Sequence, residues 1–239
     1  MDNMEIPAQV PSESNKPRLN IIQTWKNLEM PVTLYELMKK VKEKNPEADY
    51  RFFTDETIIS FIQLYCQEYY KPFTELKYKI QQIDLFRYLA VYYFGGVYLD
   101  LDMSIEKSLS DLDQTKCIFP IEIGGQDNPN ILIGNYAFYA PKGHPFIKHI
   151  INCILNPVIN EEEIKKAQEN HTDPKEHVYV YYTTGPELVT RAYQLYENKN
   201  EITLLSPNGE FRKDCFGDYG YHYSCGTWKK MIPDSDLII

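Results

Sequence analysis

Basic residues are in the minority: 25 Lys and Arg stand against 34 Asp and Glu in 239 residues, a net charge of −9. A broad nucleic-acid surface or an anionic membrane is a poor match for that balance, so any anionic ligand needs a local device such as a metal ion. Long apolar runs are missing as well. No stretch approaches the ~20 residues of a membrane span. The opening MDNMEIPAQVPSESNKPR has acids and prolines where a signal peptide would need a basic start and an apolar run. The expectation is a soluble, cytoplasmic protein with no membrane span. The five cysteines are odd in number, widely spaced and without a CxxC pair, which argues against structural zinc and for a reduced compartment. Cys215 and Cys225 could bridge, but idle thiols fit better. The chain also lacks internal repeats, low-complexity tracts, a G-x-x-x-x-G-K phosphate loop and a second acidic cluster.

What is present is an ordinary globular composition, 43% hydrophobic, with 15 prolines and 11 glycines. Residues 1–17 read as a polar tail and 18–239 as a single domain. RLNIIQTW (18–25) reads as a strand, 33–44 as a helix and DYRFFTD (49–55) as a second strand, a βαβ-like start. Helices follow over 58–69 and 75–94. CIFPIEIGG (117–125) and ILIGNYAFYA (131–140) read as strands around a turn at DNPN, and PFIKHIINCIL as a helix. Residues 159–177 read as a solvated helix plus loop. TTGPELVTRAYQLYENK reads as a helix with Thr184 as N-cap candidate. Strands alternating with helices give the α/β class.

The helix over 75–94 is apolar almost all round in its second half, IDLFRYLAVYYF, which implies burial on every side. Asp84 and Arg87 break that rule from one helical face. They are either a buried ion pair or one wall of a polar site. Gly95 and Gly96 end the helix and turn the chain into GVYLDLD, where strand period puts Tyr98, Asp100 and Asp102 on one face and Val97, Leu99 and Leu101 on the other. Carboxylates at i and i+2 of a strand stand ~7 Å apart at the backbone. A hard divalent cation, Mg²⁺ or Mn²⁺, relieves their repulsion, with a diphosphate filling its remaining positions. A solvated edge-strand face is the alternative. Strand ends are where α/β proteins place ligands.

QTW at 23–25 and IDLFRYLAVYYFGGVYLDLD at 83–102 resemble the DxD-containing sugar-binding region of glycosyltransferase family 32. That family includes Och1-type mannosyltransferases and α-1,4-glycosyltransferases, and is related in fold to the large clostridial glucosylating toxins. GNYAFYAPKGHPF (134–146), TTGP (183–186) and HYSCGTW (222–228) extend the resemblance in the expected order. It implies a GT-A fold, a Rossmann-like mixed central sheet flanked by helices. It also implies a nucleotide-sugar donor, UDP-sugar ahead of GDP-mannose, with Mn²⁺ (or Mg²⁺) at the diphosphate and retention of anomeric configuration. The acceptor would be a glycan, a saccharide or a protein hydroxyl.

By motif position, Asp102 would be the direct metal ligand, with Asp100 at the ribose, the sugar or a metal-bound water, and His222 a further ligand of the metal or the diphosphate. Asp84 and Arg87 would hold the donor sugar, Asn135 would contact the donor or acceptor near the reacting carbon, and Tyr98 would line the substrate side. Trp25 would stack on the base, and Thr227 and Trp228 would close over the diphosphate. Each has an ordinary alternative: a core tryptophan, a satisfied histidine, a turn-forming asparagine. Two positions depart from the family pattern. Tyr223 stands at the second histidine of the tail motif, and Ile22 where a histidine often precedes QTW. Two other readings are an idle nucleotide-sugar-binding module of the same fold and a Mg²⁺-dependent phosphoryl-transfer enzyme.

Overall fold

The computed structural model describes residues 18–125, 130–206 and 214–231. The tail read over 1–17 and most of the DNPN turn lie outside the described residues.

Strand β1 (Asn20–Thr24) is followed by helix α1 (Val32–Lys44), whose Leu34, Met38 and Val41 fall on one face at helical spacing and are buried. Strand β2 (Asp49–Phe53) comes next. Thr54 is not part of β2, because it caps helix α2 (Asp55–Tyr65) in a reciprocal capping box with Thr57. The helix expected over 58–69 therefore begins earlier and stops at Tyr65. A 3₁₀ turn over Gln67–Tyr69 and the short helix α3 (Tyr70–Glu75) follow, so Glu75 closes α3 and does not open the next helix. Helix α4 (Lys79–Phe94) carries the buried run foreseen for it and ends at Gly95, whose φ of 69° is a conformation that a side chain would strain.

Strand β3 (Gly96–Leu99) is shorter than the GVYLDLD pattern suggests. The chain leaves it at Asp100, turns, and re-enters extended structure as β4 (Met103–Ile105). The long strand β5 (Cys117–Ile123) is followed by β6 (Leu132–Ile133) and β7 (Ala137–Ala140), so 131–140 is two short strands divided at Gly134–Tyr136. Helix α5 (Pro145–Leu155) is capped by the His144 imidazole. Helices α6 (Glu161–Asn170), α7 (Lys175–Thr183) and α8 (Pro186–Leu195) complete the helical set. The expected loop after α6 is in part the helix α7. Gly185, not Thr184, occupies the N-cap of α8. Strands β8 (Ile202–Leu205), β9 (Cys215–Phe216) and β10 (Gly220–His222) and a 3₁₀ turn over Thr227–Met231 end the described chain.

The central sheet has seven strands, six in the order β2-β1-β3-β7-β5-β6 and the seventh, β8, paired parallel to β5. It is mixed: β1 runs parallel to β2 and β3, and β7 is antiparallel to β3 and β5. This is the α/β architecture expected, with helices against the sheet. Alternation along the strands divides the interior. Ile22 and Tyr98 enter the large core with α2, α4, α5 and α8, whereas Ile21, Val97 and Leu99 enter a second core on the opposite face. Side chains such as Phe86, Phe119 and Phe138 are fully enclosed there, each contributing about 1.5–3 kcal/mol relative to exposure. Among the described residues no helix is long and apolar enough to cross a membrane, and none of the cysteines is disulfide-bonded.

Candidate active site

A cavity of about 510 Å³ opens where β1, β3 and β5 end and α4, α8 and the chain's tail converge. Its centre is the turn after β3. Asp100 and Asp102 are not neighbours on a strand face: Asp100 still keeps the pairing with β7, its backbone N–H donating to Tyr136 O (2.7 Å), and the Met103 N–H then donates to Asp100 O (3.2 Å) and closes a turn. The turn folds the two carboxylates toward each other. One oxygen from each, together with a ring nitrogen of His222, lies within 4.8 Å of the others.

His222 arrives from more than a hundred residues away through strand pairing. β4 leads straight out of the turn and pairs antiparallel with β10, His222 opposite Met103. Only glycine allows that approach at position 220, because a Cβ there would stand 2.0 Å from Ser104 O. The His222 ring stacks on Tyr136 (4.5 Å between centroids), and its Nε2 meets Asp102 Oδ1 at 2.9 Å. The Cys225 N–H donates to Asp102 Oδ2 (2.9 Å). Burial alone would raise the Asp102 carboxyl, but the bond and charge of His222 and the Cys225 N–H outweigh it and hold the group below the usual carboxylate range. The same bond raises His222 against the opposing effect of its own burial.

The second wall is the charged face of α4. Asp84 and Arg87 form the ion pair (2.9 Å), and both border the cavity, so the two readings of this pair hold together. Arg87 Nη1 donates to Asn135 O (2.7 Å), lies 3.4 Å from Asp100 Oδ1, and the guanidinium stands over the Tyr98 ring. Its buried Nε has no partner among the described residues. Asn135 Nδ2 donates to Asp84 Oδ1 (3.2 Å), Thr184 Oγ1 to Asp84 Oδ2 (2.7 Å), and the Tyr98 hydroxyl to Asp100 Oδ1 (2.8 Å). Burial pushes the Asp84 carboxyl up to about 6, with Arg87, Thr184 and Asn135 pulling the other way. Burial also raises Asp100, again against Arg87 and His222.

The remaining expected residues border the same space. Trp25, partly buried, packs beside Leu34, Met38 and Leu101 at one end. Thr227 and Trp228 lie on the 3₁₀ turn of the tail, with the Trp228 ring against His177 and Tyr181, and Lys229 beside them pairs with Asp173 (3.0 Å). The side chains at the two departures from the family pattern do not border the cavity, although the Tyr223 N–H donates to Asp102 O (3.0 Å). The Ile22 side chain is wholly enclosed in the core, and Tyr223 is exposed, its hydroxyl paired with that of Tyr221.

Sequence reasoning passed over Thr184 as a site residue, reading it as a cap, and passed over Glu122 and Lys229. Glu122 is the lone acid of the apolar strand CIFPIEI, at the irregularity where the β5–β6 register shifts between Ile121 and Ile123. Such irregularities re-aim a side chain, and Glu122 borders the cavity. Burial, then the charge of Asp214, pushes its carboxyl up to about 7. An acid inside an apolar strand was the legible signal.

A carboxylate pair, an imidazole and a fixed guanidinium around one cavity suit a divalent cation with an anionic, hydroxyl-rich ligand. The oxygen and nitrogen donors of Asp100, Asp102 and His222 fit a hard or borderline ion such as Mn²⁺.

Residues 31–119 match the family described as the glycosyltransferase sugar-binding region containing DXD motif. Inositol phosphoceramide mannosyltransferase 3 of Schizosaccharomyces pombe is 28% identical over 166 residues, 70% of this chain and 42% of that protein. Inositol phosphoceramide mannosyltransferase 1 of the same yeast is 29% identical over 208 residues, 86% and 58%. The chain thus spans about half the length of these curated relatives. A solved structure, PaToxG Glycosyltransferase, superposes with a TM-score of 0.49 at 19% identity, over 74% of this chain and 69% of that one.

Proposed function

From the match of residues 31–119 to the DXD-containing sugar-binding region of glycosyltransferases, we propose that the chain is a glycosyltransferase that transfers a hexose from a nucleoside-diphosphate sugar to a hydroxyl acceptor, with a divalent metal ion and with retention of configuration. The observation that carries this reading is the convergence of Asp100, Asp102 and His222 within 4.8 Å, beside the Asp84–Arg87–Asn135 network, in one cavity. The names of the curated relatives favour mannose as the sugar moved.

Asp100, Asp102 and His222 would hold the ion, Mn²⁺ first and Mg²⁺ as the alternative. When bound, it supplies positive charge where the departing diphosphate accumulates negative charge. In a chain of net charge −9 this is the local device that an anionic donor requires. Arg87, fixed by Asp84, Asp100 and the Asn135 carbonyl, adds a second fixed positive charge that needs little reorganisation. Trp25 would stack on the base, Tyr98 would line the sugar side, and Thr227 and Trp228 would cover the diphosphate.

Retention needs either a covalent intermediate or attack by the acceptor on the face that the leaving group vacates. Asp84 suits the second route, because both of its oxygens are already occupied, Oδ1 by Arg87 and Asn135 and Oδ2 by Thr184. It is placed to favour an oxocarbenium-like sugar electrostatically while remaining poorly available as a nucleophile. The leaving phosphate then accepts the acceptor proton.

The test is donor turnover. The chain is incubated with GDP-mannose or a UDP-hexose and a mannoside acceptor, with Mn²⁺, Mg²⁺ or EDTA, and the products are read by mass spectrometry. The reading requires metal-dependent formation of a glycoside with the donor's anomeric configuration. Nucleotide binding without turnover on any acceptor would point to the idle binding module.

A further inference from the structure

Three charged side chains at the Trp25 end of the cavity, Lys26, Asp55 and Lys79, have no part in the roles above, and the last two pair with each other. β1 and β2 run parallel with Thr24 opposite Phe53, so their carboxyl ends set Trp25 and Asp55 side by side. The Trp25 N–H donates to Phe53 O (3.0 Å) and the Asp55 N–H to Lys26 O (3.2 Å). Asp55 is the first residue of α2 and Lys79 the first of α4. Their side chains meet across the cavity rim, Nζ to Oδ1 at 3.5 Å, with 39% and 37% of each exposed, and both border the same cavity as Trp25. An ion pair this exposed adds little to folding. Its position suits it instead to reading whatever lies on the indole.

A carboxylate only accepts hydrogen bonds and an ammonium only donates them. The edge of guanine reads acceptor, donor, donor: O6, N1–H and the 2-amino group. That edge is the complement of an ammonium beside a carboxylate, and it offers the carboxylate two parallel donors. Uracil reads acceptor, donor, acceptor, and would set a carbonyl against Asp55. Adenine offers a single donor beside a ring acceptor. We propose that Asp55 and Lys79 are the base-reading pair of the donor site, and that the base they select is guanine. The proposal rests on the nucleoside-diphosphate-sugar reading above and names the donor class that reading left between UDP and GDP.

Both tryptophans, Trp25 and Trp228, border the cavity, so binding can be followed by intrinsic fluorescence. Titrations of GDP, IDP, UDP, ADP and XDP in Mn²⁺ should give GDP the lowest Kd, about tenfold or more below UDP, the ratio expected for one good paired contact. IDP, which lacks the 2-amino group, should bind about tenfold more weakly than GDP. In Asp55→Asn the second acceptor oxygen becomes an amide donor. GDP should then lose about tenfold or more, and XDP, with a carbonyl at C2, should gain by a similar factor. A gain cannot come from a damaged fold. Lys79→Ala should weaken GDP and leave XDP no tighter in the wild-type Asp55 background. UDP or ADP binding as tightly as GDP, or Asp55→Asn without the switch toward XDP, would overturn the proposal. If UDP binds with Mn²⁺ and GDP does not, the donor-site reading stands and the guanine assignment alone falls. If no nucleoside diphosphate binds, both fall.

Discussion

At Asp84 a buried carboxylate keeps its place because each oxygen has a donor, and the Thr184 hydroxyl, from a residue wholly enclosed, is the one that removes cleanly. Thr184→Val leaves an unpaired buried oxygen on a charged group, at a cost of about 1.5–3 kcal/mol. In a domain of this size the melting temperature should fall by roughly 3–12 °C in calorimetry. Glu122 gives a pH signature. Its carboxyl is raised from an ordinary value to about 7, so between about pH 4.5 and pH 7 the folded chain holds a proton that the unfolded chain releases. Stability therefore falls as pH rises through that window, by about 3 kcal/mol at most. Glu122→Gln should lose this slope and gain on the wild type at pH 8, as read by urea unfolding at pH 4.5 and 8. The same slope in the variant would assign it to other groups. Asp84 and Arg87 were legible as a pair because helical spacing is local. The Asp84–Thr184 bond spans a hundred residues that no spacing rule connects, and Thr184 next to Gly185–Pro186 imitates a cap.

Among the elements, the turn after β3 and the β4–β10 pair carry the geometry. Strand period assigned Val97, Tyr98 and Leu99 to their faces correctly, since successive side chains of a paired strand point to opposite faces. It failed at Asp102, because the chain turns once Asp100 has completed the pairing with β7: the Met103 N–H folds back onto the Asp100 carbonyl, a turn that the strand pattern does not announce. That failure matters for function, because a straight strand would leave the carboxylates about 7 Å apart at the backbone. The helix α7 went unread for a related reason: HVYVYYT favours strand on propensity, and packing against α6 and α8 decides otherwise. Gly220→Ala tests the strand pair. The added Cβ must push β10 away from the Ser104 carbonyl and carry His222 off Asp102. A stability loss of at least about 1–3 kcal/mol is expected, together with a weaker response to Mn²⁺ in the presence of nucleotide. An unchanged Mn²⁺ response would show that the β4–β10 contact does not set the position of His222.

For the whole molecule, the central sheet and its helices bring three distant segments to one cavity: the β1 end with Trp25, the α4 face with Asp84 and Arg87, and the tail with His222, Thr227 and Trp228. The α/β class and the carboxylate motif were legible because they rest on local patterns. The closing of the tail over the motif was expected from the family resemblance alone, because no local pattern ties Gly220 to the Ser104 carbonyl it packs against. The claim that these parts form a metal-dependent diphosphate site is tested most directly by thermal melts of the wild type and Asp102→Asn, with GDP and with UDP, each with and without Mn²⁺. A nucleotide at a hundred times its Kd adds about 2.7 kcal/mol, a rise of roughly 5–11 °C for a chain of this length. A metal-dependent diphosphate site gives that rise in the wild type only when nucleotide and Mn²⁺ are both present, and loses it in Asp102→Asn. An equal rise without the metal ion, or in the variant, would contradict it.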